Sequence, residues 1–204
     1  GERWLGFVTA PTDASGNAGF NAALSNVWVN HADRVTATAT VDLGGGNYGA
    51  TSEFAVNVTA TATGVVVVDT TSDAADGTTT SIANLGNSRG ADGRVSLREA
   101  MLATNATTNV DGSTPDRIVF AIPGTATHTI TVGATALPTI TGAVTIDATT
   151  DDSFATNGNR PAIRIDGNDR AFDGLTFGAG ADGSTIRGLL INNFAGHGIT
   201  IESG

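Results

Sequence analysis

Arg94-Val95-Ser96-Leu97-Arg98-Glu99-Ala100-Met101-Leu102-Ala103 is the stretch on which the reading of this chain turns. It is the one clear helix start in a sequence otherwise written in strand and turn residues. Ser96 followed three residues later by Glu99 is a capping box: the serine hydroxyl accepts from the Glu99 N–H, and the Glu99 carboxylate reaches back to the Ser96 N–H. Helical spacing puts Leu97, Met101 and Ala100 on one face and turns Arg98 and Glu99 outward. A short, one-sided helix beside many strands predicts a lid over the open end of a β-structure. A surface helix joining two domains is the alternative.

Composition sets the class around that helix. Aromatic residues make up 5% of the 204 residues and glycine contributes 27, with Thr, Ala, Val, Ile and Asn filling much of the rest. That mixture predicts an all-β protein with many tight turns. A hydrophobic share of 40%, recurring at regular spacing, argues against disorder. The formal charge of −10 and the pI near 4.4 make nucleic acid a poor partner. All 10 basic residues are arginine, so no lysine is present to form an intramolecular crosslink to Asn or Asp. Without cysteine there is neither a disulfide nor a thiolate metal site. Val65–Val68, like every other apolar string in the chain, is far too short to span a bilayer. No signal-peptide pattern is visible, and Gly1-Glu2-Arg3-Trp4 begins abruptly in strand-like residues, which predicts an excerpt of a longer chain.

Residues 1–64 read as antiparallel strands. Trp4, Leu5, Phe7 and Val8 start one strand, Pro11 interrupts it, and Asp13-Ala14-Ser15-Gly16-Asn17 is a turn cluster. Phe20, Ala22 and Leu24 mark a second strand. Val35, Ala37, Ala39 and Val41 alternate with threonines in a third, the cleanest period-two signal in the chain. Residues 43–49 read as a glycine-rich loop, and Phe54, Val56, Val58 and Ala60 mark a fourth strand. Four strands with one apolar face need a covering sheet, so an incomplete, Ig-like β-sandwich is expected.

A boundary near Gly64 separates this part from residues 65–204. There the pattern apolar–Thr/Arg–apolar recurs at Val144-Thr-Ile146, Ile163-Arg-Ile165, Leu175-Thr-Phe177 and Ile199-Thr-Ile201. Ile163, Leu175, Ile186 and Ile199 follow one another at 12, 11 and 13 residues (175 − 163, 186 − 175, 199 − 186). Such spacing fits a sandwich or a parallel β-helix with more than one strand per coil. The constant phase of the triplet and the Gly/Asn/Asp-rich corners favour the β-helix.

The segment "DTTSDAADG…GADGRVSLREAML", followed by "DRIVFAIPG…HTITV…LPTITGAVTIDATT", resembles the CSLREA-type opening of large bacterial extracellular right-handed β-helix proteins. Val95 precedes Ser96 here, so the leading cysteine of the family's name is absent. "DGSTIRGLLINNFAGHGITI" is similar to the family's first coils, and residues 4–58 resemble the second half of the β-sandwich that closes such units. The resemblance implies the tail of one unit followed by the head of the next, in a secreted or cell-surface structural or adhesive protein. The fold so expected is all-β: a partial Ig-like antiparallel β-sandwich, then a right-handed parallel β-helix with an N-terminal capping α-helix. It implies no catalytic residue that transfers by position.

The candidate chemistry is sparse. Asp69, Asp73 and Asp76 flank the capped helix and are the candidate Ca²⁺ ligands, although their spacing does not match an EF-hand and aspartates of this kind make turns. Asp147, Asp151, Asp152, Asp166 and Asp169, with Arg164 and Arg187, are the residue types of a polysaccharide lyase or hydrolase cleft. Corner aspartates on an acidic protein explain them more simply. His31, His128 and His197 lack zinc spacing, and Ser96 lacks a nucleophile-elbow setting. Asn57-Val-Thr59 and Asn105-Ala-Thr107 match glycosylation acceptors, and Asn192 and Asn193 could stack inward as an amide ladder. The helix-cap residues are Ser96, Leu97, Glu99 and Met101. Trp4, Phe7, Ile199 and Ile201 are expected at unpaired strand edges that recruit further strands. The expectation is a non-enzymatic extracellular segment that builds a fibre or tandem array by strand completion with itself or adjacent repeats. Extracellular glycans are a further expected partner, and a β-helix enzyme or glycan-binding adhesin is the alternative.

Overall fold

The computed structural model describes residues 3–21, 23–24, 27–109, 112 and 114–202. The chain divides into two units, one formed by Gly1–Trp28 and Val35–Val58, the other by Val29–Arg34 and Thr59–Gly204. The expected fold class is overturned. The protein is mixed α/β, with 12% helix and 29% strand, and its sheets are small, mostly parallel, and neither closed nor solenoid-like. It is therefore not an all-β Ig-like sandwich followed by a right-handed β-helix. Two physical features separate it from that reading. Two short helices form at Ile82–Asn87 and Asp152–Thr156, where none was expected, and the sheets hold only two to four strands each.

In the first unit, residues 3–21 hold no strand, and the strand expected at Trp4 to Val8 does not form. Trp4 and Phe7 are 76% and 77% exposed and stack on each other at 6.3 Å between ring centroids. Phe20 and Leu24 are exposed and outside any strand; Ala22 of the same expected strand lies outside the described residues. The short strands β1 (Arg34–Val35) and β4 (Val58–Thr59) bracket a hairpin of β2 (Thr40–Gly44) and β3 (Asn47–Thr51). The expected glycine loop is that hairpin's turn, with Gly44, Gly45 and Gly46 all at positive φ. Such φ values cost an L side chain about 1 kcal/mol or more each, which is why glycines make this turn. Val41, Leu43, Tyr48, Phe54, Val56 and Val58 remain exposed. The alternation of the sequence made an apolar face, but a two-stranded ribbon has no second layer to bury it against.

In the second unit the apolar residues are buried. β5 (Val65–Val68) leads through a polar stretch to α1 (Ile82–Asn87), capped by Ser81 accepting from Asn84 N, and then to α2 (Leu97–Asn105). β6 (Asp116–Phe120), β7 (His128–Thr131) and β8 (Val144–Asp147) follow. A 3-10 turn at Ala148–Thr150 and α3 (Asp152–Thr156), capped by Asp151, lead into β9 (Ile163–Arg170). β10 (Leu175–Phe177), β11 (Thr185–Arg187), β12 (Leu189–Phe194) and β13 (Ile199–Ile201) complete the order. Neither α1 nor α3 carries the Glu or Gln that completes a capping box, so the sequence shows no helix start of that kind at either.

The strands form three parallel sheets in the orders β5-β6-β8-β11, β7-β9-β12 and β10-β13, and Ile140 adds a single parallel bridge to Phe177 beside β10. From β6 onward, strands that follow one another in sequence do not pair with each other. Leu175-Thr-Phe177 skips the next segment to lie in register with Ile199-Thr-Ile201, and Ile163-Arg-Ile165 pairs with Leu189 to Ile191. One core joins Val66, Val68, Ile118, Phe120, Ile146, Ile163, Ile165 and Leu175 with Leu97, Ala100 and Met101 of α2. Full burial of each large aliphatic side chain is worth about 1.5–3 kcal/mol, so this unit holds nearly all the stabilising area. Close approach demands glycine at Gly174, where a Cβ would collide with the Gly198 carbonyl.

Candidate functional site

In each parallel ladder the strands stack in chain order, so the last strand in sequence is always an outer one: β11, β12 and β13. Leu175 N donates to Gly198 O at 3.0 Å and Glu202 N donates to Phe177 O at 2.8 Å. In a parallel ladder alternate residues face opposite neighbours, so the N–H and C=O of Ile199 and Ile201 point away from β10. Their side chains are 46% and 81% exposed, and Leu190 of β12 is 45% exposed. Arg117 N donating to Gly64 O at 2.8 Å sets the phase of the largest sheet. Carried across the registers, that phase turns Val67 outward on β5 and Ile186 outward on β11.

Two of the three first edges in chain order, at β5 and beside Ile140, are treated differently. The Asn30 side chain, 5% exposed as a residue, donates from Nδ2 to Val67 O at 3.0 Å and accepts from Val67 N at 2.8 Å. One amide thus satisfies both outward groups of an edge residue, as a neighbouring strand would. Asn30 is held in turn by Asp33, whose Oδ2 accepts from Asn30 N at 2.7 Å and whose Oδ1 pairs with Arg89. Asn105, at the end of α2, repeats the device beside Ile140, donating to Thr139 O at 2.7 Å and accepting from Thr141 N at 3.0 Å. The sequence marks Asn105 only as a glycosylation acceptor and does not mark Asn30. An isolated asparagine outside any periodic segment gives no sequence signal for this role.

Around α2 the polar groups are consumed inside the fold. Ser96 Oγ accepts from Glu99 N at 3.2 Å, and Glu99 Oε2 accepts from Ser96 N at 2.9 Å. Glu99 Oε1 also accepts from Asp76 N and Gly77 N at 2.9 and 2.7 Å. Leu97 and Met101 are fully buried. Arg98 and Glu99, expected outward, both turn in: Glu99 is buried, and Arg98 forks onto Asp73 at 3.0 and 2.7 Å while reaching Ala136 O and Thr135 O. A loop folded over the first turn supplies donors and acceptors that the helical period cannot anticipate.

The three calcium candidates are not brought together; among the described residues no group of three His, Cys, Asp or Glu side chains could hold a metal ion. Asp69 accepts from Val95 N at 2.7 Å, and burial raises its pKa above the ordinary carboxylate value against the pull of Val95 and Arg94. Asp73 is clamped by Arg98 and Gly133 N, and Asp76 accepts from Ala91 N at 2.7 Å.

Asp147, Asp151 and Asp166 are likewise committed. Arg164 pairs with Asp166 at 2.5 Å and reaches Asn192 Oδ1 at 3.0 Å. Asp166 also accepts from Asn168 N and Asn193 Nδ2, first among the bonds that hold its pKa below the usual range, so it is poised as neither acid nor base. Asn192 and Asn193 are exposed and serve this cluster instead of pointing inward. At buried Asp147, desolvation pushes the pKa up but hydrogen bonds from Arg187 and Thr149 outweigh it, and the net shift is downward. Ser153, Asp151 and His128 have the residue types of a nucleophile set but the wrong wiring. Fully buried Ser153 donates to the Asp151 carboxylate, and His128 Nε2 lies 3.0 Å from Gly124 O. Asp116 is 1% exposed with neither carboxylate oxygen hydrogen-bonded, and burial lifts its pKa to about 6. A pocket of about 260 Å³ lined by His31, Ala62, Gly64, Ser81, Ile82 and Thr107 holds one titratable side chain. It is below the usual volume of about 300–1,000 Å³ for a ligand site. No helix among the described residues is long and apolar enough to cross a membrane.

Comparison with protein families, curated proteins and solved structures found no match to this chain.

Proposed function

We propose that the chain is a non-catalytic structural or adhesive segment, working outside the cell, that is extended by strand addition at its late edges. One observation carries this reading: all three parallel ladders present their last strand, β11, β12 and β13, to the same kind of event, the arrival of a further parallel strand. An edge of outward N–H and C=O groups flanked by exposed Ile199, Ile201 and Leu190 is a template for pairing. Each added strand contributes nearly the same increment, so a tandem array grows without a new core. Strands from neighbouring units of the same kind supply the match in register and side-chain type. Asp69, Asp73, Asp76, Asp147 and Asp166 support the reading indirectly, since their carboxylates are spent on internal bonds.

The test is self-association measured by sedimentation across a concentration series. Wild-type protein should associate as concentration rises. Ile201→Pro deletes an outward N–H without touching the β10–β13 ladder, and together with Leu190→Lys it should shift the protein toward monomer. Wild-type protein that stays monomeric throughout, or associates equally well with both substitutions, would sink the proposal.

A further inference from the structure

We propose that Val29–Arg34 is a removable stand-in for a strand: the Asn30 amide closes the β5 edge, and its release lets that edge accept a parallel strand, β11 of a second copy. This deepens the strand-addition reading and rests on it. Three observations support it. The amide makes both bonds that an incoming strand would make at Val67, so clasp and strand compete for the same two groups. The clasp is anchored by an ion pair, Asp33 to Arg89, by Arg89 donating to His31 O at 3.3 Å, and by two backbone bonds to Ala60, Ala32 N donating to Ala60 O at 3.0 Å and Ala60 N to Asp33 O at 2.8 Å. Ala32 within it sits at φ 66°, a left-handed conformation that an alanine adopts only under constraint. Its backbone is therefore primed to relax once the anchor is lost.

The choice of occupant follows from the sheet itself. β5 and β11 are the two outer strands of one parallel ladder, with Val67 outward at one end and Ile186 outward at the other. Joining them continues the existing register from copy to copy. That contact is head-to-tail and does not close, so it makes open-ended chains, whereas copies meeting through their late edges alone stop at a symmetric pair. The clasp thus limits assembly: while β5 is closed, the open-ended β5–β11 contact cannot form.

The experiment compares wild type with Asn30→Ala/Arg89→Gln by sedimentation and by amide hydrogen exchange at Val67. The variant should exchange the Val67 amide about tenfold faster at low concentration, the cost of one lost hydrogen bond. It should also form species that keep growing with concentration, while wild type stops at a pair. Added wild type should shorten those assemblies, because it offers β11 but no free β5. Arg89→Gln alone should move both readouts the same way by less. A variant whose Val67 amide is freed yet whose size matches wild type overturns the inference, as does an unchanged exchange rate. Neither outcome touches the strand-addition reading, whose own test uses Ile201→Pro and Leu190→Lys.

Discussion

Two early edges of the parallel sheets, at β5 and beside Ile140, and the late edge at β13 are built from the same kind of strand and finished in opposite ways. At β5 and beside Ile140, single asparagine amides satisfy the outward backbone groups, and α2 packs its apolar face on β5 and β6. At β13 no side chain among the described residues does this for Ile199 or Ile201, and large apolar side chains of β12 and β13 stand in solvent. The difference teaches that an edge is not sealed by hydrophobicity. It is sealed by satisfying the donors and acceptors that a pleated strand turns outward every second residue.

The largest expected effect breaks the sealed side. Leu97→Ala should lower stability by about 2–5 kcal/mol, because it leaves a cavity under α2 that the surrounding sheet cannot collapse into. Chemical denaturation should read this as a fall in midpoint at unchanged slope. A loss near zero would mean that α2 does not cover the core.

Next is the buried carboxylate of β6. Asp116 has its folded pKa raised to about 6 from 3.8, so the native state binds the extra proton between those values. Stability therefore falls as pH rises from about 4 to about 6 and stays low above that. Asp116→Asn should raise the melting temperature at pH 8 relative to wild type, by up to about 3 kcal/mol in stability for two pKa units. At pH 4 it should change little. Equal effects at both pH values would show that the carboxylate is solvated.

Asn30→Ala sharpens the comparison directly, since it leaves Val67 N–H and C=O without their partner and should cost about 1–3 kcal/mol. The smallest effect is expected at the late edge. Ile201→Ala removes as many methyl and methylene groups as a core truncation does, yet at 81% exposure it should change monomer stability by less than about 0.5 kcal/mol. Its mark should fall on self-association instead. A core-sized loss of stability from Ile201→Ala would mean that the late edge is already covered.

By itself the sequence determined the elements whose causes are local. Ser96 and Glu99 are three residues apart, and a capping box needs only that spacing; the valines of Val65–Val68 can form a buried strand and little else. The short triplets of residues 144–201 carry their period in side chains a few residues apart, and each lies in a strand. Tertiary structure alone decided which strands pair and what finishes the edges. A triplet's pattern is the same whether it pairs with its neighbour or with the segment beyond, and the choice depends on loop paths. The failure of residues 1–64 to make a sandwich has the same origin, because alternation specifies a face but not the layer that covers it. Asn30 acts on Val67 from 37 positions away, and hydrogen bonds over such distances leave no trace in periodicity. The fold class failed for that reason: local patterns name strands and caps, while sheets, clasps and open edges are properties of the packed chain.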